Sequence, residues 1–276
     1  MNLFFSVIIP TLNEEKFLPN LLSDLKEQSE QNFEVIIVDA KSKDKTQAVA
    51  ASQKNNLKLT FIESDKKGVS LQKNLGAQKA KGKYLIFIDA DCRINFSFTK
   101  NLTRFIAKNP GLVYLPYVDP EDDSGQTKTF YQVLNFLIET SQNFNKPFSS
   151  VGCAVFEKDF FKNLGGFEEN LFIGEDHNIV QKAHKWGVKA RFMPNIKIKF
   201  SFRRINREGK FKAMYKLFLG VSHVILKGDV EKEIFEYEMS GGSHYDVVKK
   251  CTVTADVKLK NYLRKIKKQV NDFIEE

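Results

Sequence analysis

Apolar positions in the first 120 residues fall into short runs divided by polar stretches. Residues 4–10 (FFSVIIP), 33–39 (FEVIIVD), 57–62 (LKLTFI) and 83–89 (KYLIFID) each predict a strand. Strands apolar on both sides belong to parallel sheets covered on both faces. After the first run, Phe17, Leu18, Leu21, Leu22 and Leu25 recur at helical spacing. A polar helix is expected from about Asp44, and another ends near Gly82. Strands alternating with helices predict right-handed βαβ units and a doubly wound, mostly parallel α/β sheet flanked by helices. Beyond residue 125 the pattern is mixed. Residues 151–161 predict a strand entering a short helix. Residues 174–187 predict a helix with Ile179, Val180, Ala183 and Trp186 on one face and Gly187 as its stop. A change of composition near residue 200 divides an α/β domain, 1–200, from a helical, basic C-terminal extension, 201–276.

Composition narrows the class. Hydrophobic residues at 42% and charged residues at 28% of 276 fit a globular chain able to bury one large core. The 25 Phe predict a phenylalanine-rich core or a surface that holds apolar groups. Cys92, Cys153 and Cys251 lie far apart in no metal-ligand spacing, which argues against a zinc site or a disulfide framework and fits a reducing cytoplasm. The opening MNLFFSVIIP lacks a basic start and is expected to be a first strand, not a signal peptide. The apolar stretch 217–226 is shorter than the roughly 20 residues that a membrane span takes.

The net charge of +9 is concentrated. Between Lys185 and Lys216 there are eleven Lys or Arg against one acid, Glu208. Such a patch is either a solvated surface or faces an anion: phosphate, nucleic acid or acidic lipid. Residues 257–274 place Leu259, Tyr262, Leu263, Ile266, Val270 and Phe273 on one helical stripe amid lysines. That segment packs on the core or rests on an anionic membrane, and 211–226 carries the same two readings. The expected location is cytoplasmic, with peripheral contact at the inner face of the cell membrane.

Three groups of acids follow strand or helix boundaries. Asp39 ends a buried run; it either caps the next turn or accepts a hydrogen bond from a nucleobase or ribose. Asp89 and Asp91 either make an Asx turn, which would not require two acids, or, read as extended chain, point the same way. Together with a diphosphate they suit Mg²⁺ or Mn²⁺, which take one or two carboxylates plus phosphate oxygens. Glu175 and Asp176 either complement a helix N-terminus, worth about 0.3–1 kcal/mol, or supply a general base.

SVIIPTLNEE, VIIVDAKSKDKT, GVSLQKNLGAQKAKGKYLIFIDAD, VGCAVFEKDFFKNLGGFEE and GEDHNIVQKAHKWG occur in order. Together they resemble the successive motifs of glycosyltransferase family 2, inverting enzymes of the GT-A fold, over residues 5 to about 208. The resemblance implies a nucleotide-sugar-binding and catalytic domain over 1–200. Thr11, Glu14 and Asp39 would contact the nucleoside, and Asp89 the ribose or the metal. Asp91 would bind the divalent cation, Mg²⁺ or Mn²⁺. Asp176 would be the general base, with Glu175 shaping the pocket. The segment from Gly152 and the Gly165–Phe167 stretch would line the sugar and acceptor side. Arg203 and Arg204 would lie near the leaving diphosphate.

The implied activity moves a sugar from a UDP-, GDP- or dTDP-sugar to a saccharide hydroxyl or a lipid-linked phosphate, in cell-envelope polysaccharide or glycolipid synthesis. Departures from the family pattern put donor identity in question. Lys41, Lys43 and Lys45 crowd the segment after Asp39, and Gln72-Lys73-Asn74 replaces the usual Ala-Arg-Asn. Lys73 keeps the positive charge on the donor side without an Arg fork. His177 and Asn178 stand where an apolar residue and an acid are commoner; His223 and His244 are expected at the surface or in packing. The rival readings are a nucleotidyltransferase, a nucleic-acid-binding module and a catalytically inactive sugar-nucleotide binder. PTLNEE lacks the glycine- and arginine-rich loop that the first needs, and the ordered acids argue against nucleic acid.

Overall fold

The computed structural model describes residues 4–120, 125–144, 146–149, 152–171 and 174–200. Arg203, Arg204, His223, His244, Cys251 and the whole expected extension over 201–276 lie outside the described residues.

Eight strands form one sheet: β1 (Phe5–Thr11), β2 (Phe33–Asp39), β3 (Leu59–Glu63), β4 (Tyr84–Ile88), β5 (Cys92–Ile94), β6 (Val113–Pro120), β7 (Cys153–Glu157) and β8 (Arg191–Phe200). Their order is β3-β2-β1-β4-β7-β6-β8-β5. The half built from β3, β2, β1 and β4 is parallel, as expected. The other half is mixed: β7 runs against β4 and β6, β6 and β8 are parallel, and β5 runs against β8. Every residue of β1, β2 and β4 is buried, which explains their unbroken apolar runs.

Helices cover both faces: α1 (Leu18–Lys26), α2 (Thr46–Ser52), α3 (Val69–Lys79), α4 (Phe98–Lys108), α5 (Gly125–Ser141), α6 (Lys158–Asn163) and α7 (Glu175–Lys185). Alternate strand residues feed opposite faces. Val7 and Ile9 share a core with Leu18, Leu21, Leu22 and Leu25 of α1 and Leu102 of α4. Ile8 shares the other with Phe160, Phe161, Ile179 and Val180. Each fully buried aliphatic side chain contributes about 1.5–3 kcal/mol. The phenylalanines are partly accounted for there: Phe87 stacks with Phe161 and Phe167, each at 4.9 Å between ring centres. Among the described residues no helix is long and apolar enough to cross a membrane.

One helix face differs from its reading. Ile179, Val180 and Ala183 of α7 are buried, but Trp186 is 62% exposed. α7 ends at Lys185, so Trp186 sits at the cap and only its edge meets Phe160, 6.4 Å away between centres. Gly187, with φ 78°, ends the helix as expected.

Helix α3 is built the other way round from its neighbours. Its buried residues are Ser70, Gln72, Lys73 and Gly76, so this helix turns a polar face inward. Gly76 lets it lie close on the sheet: a Cβ there would stand 2.5 Å from Ile8 Cγ2. Alanine is the better helix former by up to about 1 kcal/mol, yet overpacking costs about 1–3 kcal/mol. Gly76→Ala is therefore expected to destabilise the protein, and urea unfolding that shows it stabilised would contradict this packing.

Candidate functional site

The ends of β1 and β2 are joined by side chains from the loops that follow them. Thr11 pairs with Asp39 in register, and its Oγ1 donates to Asp39 Oδ1 at 2.8 Å. Ser42 donates its backbone N–H to Asp39 Oδ2 at 2.7 Å and its hydroxyl to Oδ1 at 2.6 Å. Asn13 N–H donates to Ser42 Oγ, and Lys43 N–H returns to Asn13 Oδ1. Glu14 N–H donates to Thr46 Oγ1, Glu15 N–H to Asp44 Oδ2 and Lys45 N–H to Glu15 Oε2. Asn13 and Lys41 adopt left-handed backbone, φ 53° and 57°, to make these turns. Asp39 thus caps its turn, with three donors on a carboxylate that can accept about four. Thr11, Glu14 and Asp39 are brought together and are nearly inaccessible.

Asp89 and Asp91 lie beyond β4 at the same end of the sheet, but the extended reading of this stretch is corrected. Residues 89–92 form a turn closed by Cys92 N–H donating to Asp89 O at 3.1 Å. The chain must leave β4 there because β5 pairs with β8 at the far edge. Asp89 N–H donates to Gly152 O at 2.9 Å, tying the turn to the chain entering β7. Gly152 has φ 84°, and a Cβ on it would come 2.9 Å from the Phe200 ring and 3.0 Å from Cys92 Sγ. Cys92 fills the space beneath this turn. Burial, with Asp91 and Asp89 beside it, pushes its thiol well up, so it stays protonated and packs.

Lys73, expected on the donor side, turns its ammonium to the acids that open α7. Its Nζ donates to Glu175 Oε1 at 3.0 Å and Asp176 Oδ1 at 2.9 Å. It stands over the Phe167 ring, 5.1 Å from the centre. The residue is 2% exposed. Burial opposes its charge, but Asp176, Glu175 and Asp89 together raise its pKa well above the ordinary value. Burial pushes the Asp176 carboxyl up to about 6; Lys73 opposes this and Glu175 adds to it. Glu175 goes the other way: burial raises it, but the Lys73 charge, its hydrogen bond and a backbone donor outweigh that, so its pKa is lowered. Asp89 is pushed up to about 8, by burial first and then by Asp176, Asp91 and Glu175 against Lys73.

One ammonium therefore faces three carboxylates, Asp176, Glu175 and Asp89, with Asp91 beside the last, and the excess is negative. Among the described residues no three His, Cys, Asp or Glu form a metal cage. Mg²⁺ and Mn²⁺ sites that share a substrate's phosphates need only one or two carboxylates. Asp91 lies near enough to Asp89 to raise its pKa, so two carboxylates are available at this turn for such a cation.

Residues that sequence reasoning gave no positive role complete the frame. Gln72 Nε2 donates to Thr11 O at 2.8 Å and Val38 O at 2.6 Å, linking α3 to the ends of β1 and β2. Asn74 Nδ2 donates to Phe167 O and Glu169 Oε1, and its Oδ1 accepts from Phe167 N–H, all at 2.9 Å. Gly166 is needed here, since a Cβ would lie 2.7 Å from Asn74 Oδ1. His177 Nδ1 accepts from Ser149 N–H at 3.0 Å. The polar inward face of α3 was the available signal. A groove of about 690 Å³ lined by Phe105, Gly111, Leu112, Arg191 and Phe192 touches none of these carboxylates. It lies where β6 and β8 begin, at the opposite end of the sheet.

Residues 6–165 match the profile described as Glycosyl transferase family 2. The poly(ribitol-phosphate) beta-N-acetylglucosaminyltransferase TarS of Staphylococcus aureus is 35% identical over 115 residues, 40% of this chain and 20% of TarS. The O-antigen chain rhamnosyltransferase RfbN of Salmonella typhimurium is 25% identical over 215 residues, 74% of this chain and 68% of RfbN. Among solved structures, TarS 1–349 with UDP-GlcNAc superposes with a TM-score of 0.57 at 23% identity, covering 71% of this chain and 57% of that one. The mannosyltransferase PcManGT of Pyrobaculum calidifontis with GDP-Man and Mn²⁺ gives 0.61 at 22% identity, covering 78% and 64%. The chain thus spans about a fifth of TarS, while the GT-A-type fold expected from the motifs is shared with both structures.

Replacing Asn74 by Asp sets a carboxylate oxygen against Phe167 O and Glu169. Losing a hydrogen bond of this kind costs about 0.5–1.5 kcal/mol. Asn74→Asp is expected to lower the thermal midpoint accordingly; an unchanged midpoint would remove Asn74 as the clamp of this loop.

Proposed function

The chain belongs to glycosyl transferase family 2, and from that premise we propose that it is an inverting transferase using a nucleotide sugar, with Asp176 as general base. The observation that carries the reading is the convergence of Asp89, Glu175 and Asp176 on Lys73 beyond the carboxyl ends of the parallel strands, the place where ligands bind in such sheets. The relatives named above bear on the donor: UDP-GlcNAc in one solved structure and GDP-Man in another.

The chemistry follows from the groups present. An acceptor oxygen attacks the anomeric carbon, and its proton passes to Asp176. The bond from that carbon to the diphosphate oxygen breaks on the opposite face, so configuration inverts. Thr11, Glu14 and Asp39 hold the nucleoside side, and Asp89 the ribose side. Asp91 would hold a divalent cation, which would supply positive charge to the departing nucleotide diphosphate. The acceptor is a saccharide hydroxyl or a lipid-linked phosphate of the cell envelope, a reading supported by the teichoic-acid and O-antigen enzymes among the relatives. Arg203 and Arg204 remain candidates for the leaving group.

The test is a panel of UDP-, GDP- and dTDP-sugars with Mg²⁺ or Mn²⁺, reading released nucleotide with and without a polyprenyl phosphate or a polyol-phosphate acceptor. No release from any donor would overturn the reading. Removing a general base costs roughly 10²–10⁴-fold; Asp176→Asn is expected to lose that much transfer, and Asp91→Asn to abolish it. Near-normal turnover by either purified variant would sink its assignment. Asp176 works ionised, so kcat/KM is expected to fall as pH drops through about 6 and its carboxylate takes up a proton. A rate that stays flat down to pH 4.5, about 1.5 units lower, would assign the base elsewhere.

A further inference from the structure

Three successive residues of α3 reach three parts of the molecule. Gln72 holds the ends of β1 and β2, Asn74 holds the Gly166–Phe167 loop, and between them Lys73 holds the acids that open α7. Among the described residues, Lys73 is the one hydrogen-bond donor to the Asp176 side chain. The N-cap of α7 is Gly174, which brings no side chain of its own. Only one oxygen of Asp176, Oδ1, is taken by the ammonium.

We propose that Lys73 is a positioning residue for proton transfer: its ammonium fixes the Asp176 carboxylate by one oxygen, leaving the other for the acceptor. The proposal rests on the reading of Asp176 as the base. A lysine is a flexible point charge on four methylenes, and here its surroundings confine it. Gly76 seats its helix against Ile8, burial holds its stem, and the Phe167 ring, held by Asn74, closes the side of the ammonium it faces. A cation over an aromatic face is itself a favourable contact. The charged and titratable groups facing Asp176 are Lys73 from α3, Glu175 on its own helix and Asp89 from the end of β4, with the Cys153 thiol of β7 kept neutral by burial. Among the described residues Lys73 is the only lysine or arginine in that set. A lysine that served the donor's phosphates would act on donor affinity; one that holds the base acts on the chemical step.

The test compares Lys73→Met and Lys73→Arg with the native full-length chain by two readouts. One is steady-state nucleotide release across pH; the other is a ¹³C NMR titration of the Asp176 carboxyl without substrate. The expected result for Lys73→Met is a fall in kcat of roughly 10²-fold, the lower end of what general bases supply, with donor KM little changed. Its acid limb and the Asp176 titration both move to higher pH, and Lys73→Arg restores most of each. A raised donor KM with kcat kept, or an Asp176 titration that does not move, would overturn the proposal. Should Lys73→Met not fold, Glu175→Gln against Glu175→Gln/Lys73→Met makes the same comparison with the charge balanced. The titration needs no donor, so a chain inert on every nucleotide sugar refutes the activity while Lys73 is still judged by NMR.

Discussion

A single buried ammonium is what the candidate site depends on. Charges are taken out of water at a cost that only close, well-directed partners offset. Lys73 meets that condition with two carboxylate oxygens within 3.0 Å and an aromatic face beside them. The dependence runs in both directions. Asp89, Glu175 and Asp176 come from a strand end and a helix start more than eighty residues apart in sequence, and without the ammonium burial would push their carboxyls further toward the neutral form. The ammonium joins them, and the remaining negative excess leaves the site selective for further positive charge.

Rigidity around that point is distributed unevenly. The side beyond β1 and β2 is held by the protein alone, because the loops after these strands exchange hydrogen bonds along their length. Such pre-formed floors lower the ordering cost of binding. The opposite side depends on fewer ties. Asn74 holds the Gly166–Phe167 loop, and His177 holds the chain at Ser149.

Much of the parallel half was legible because its residues obey one rule at a time. Unbroken apolar runs mark β1, β2 and β4, buried on both faces, and the Leu18–Leu25 spacing marks α1. The mixed half was legible only in part: β7 with α6 and α7 were read, β5 and β8 were not. β5 has three residues, and β8 alternates buried and exposed positions around Pro194, so neither makes an apolar run. α4 carries Phe98, Leu102 and Ile106 at helical spacing, a signal present but masked by its lysines and asparagine. In the site, the acids of the DAD and GED motifs were visible as chemistry, but their partner was not. Helix geometry makes Gln72, Lys73 and Asn74 diverge, but which part each side chain meets comes from how α3 lies on the sheet through Gly76. The turn at Asp89–Cys92 was hidden for a similar reason, since its cause is the pairing of β5 with β8.

The fanning of Gln72, Lys73 and Asn74 also sets how this protein can change length. Each residue of an α-helix advances the direction of its side chain by about 100°. One residue inserted anywhere between Gly68 and Gln72 would send Lys73 toward the loop, Gln72 toward the acids and an apolar neighbour toward the strand ends. All three connections would fail together. An insertion in the exposed turn at 53–56 meets no such condition. Length variation among homologues should therefore gather in that turn and spare α3, whatever sugar each transfers.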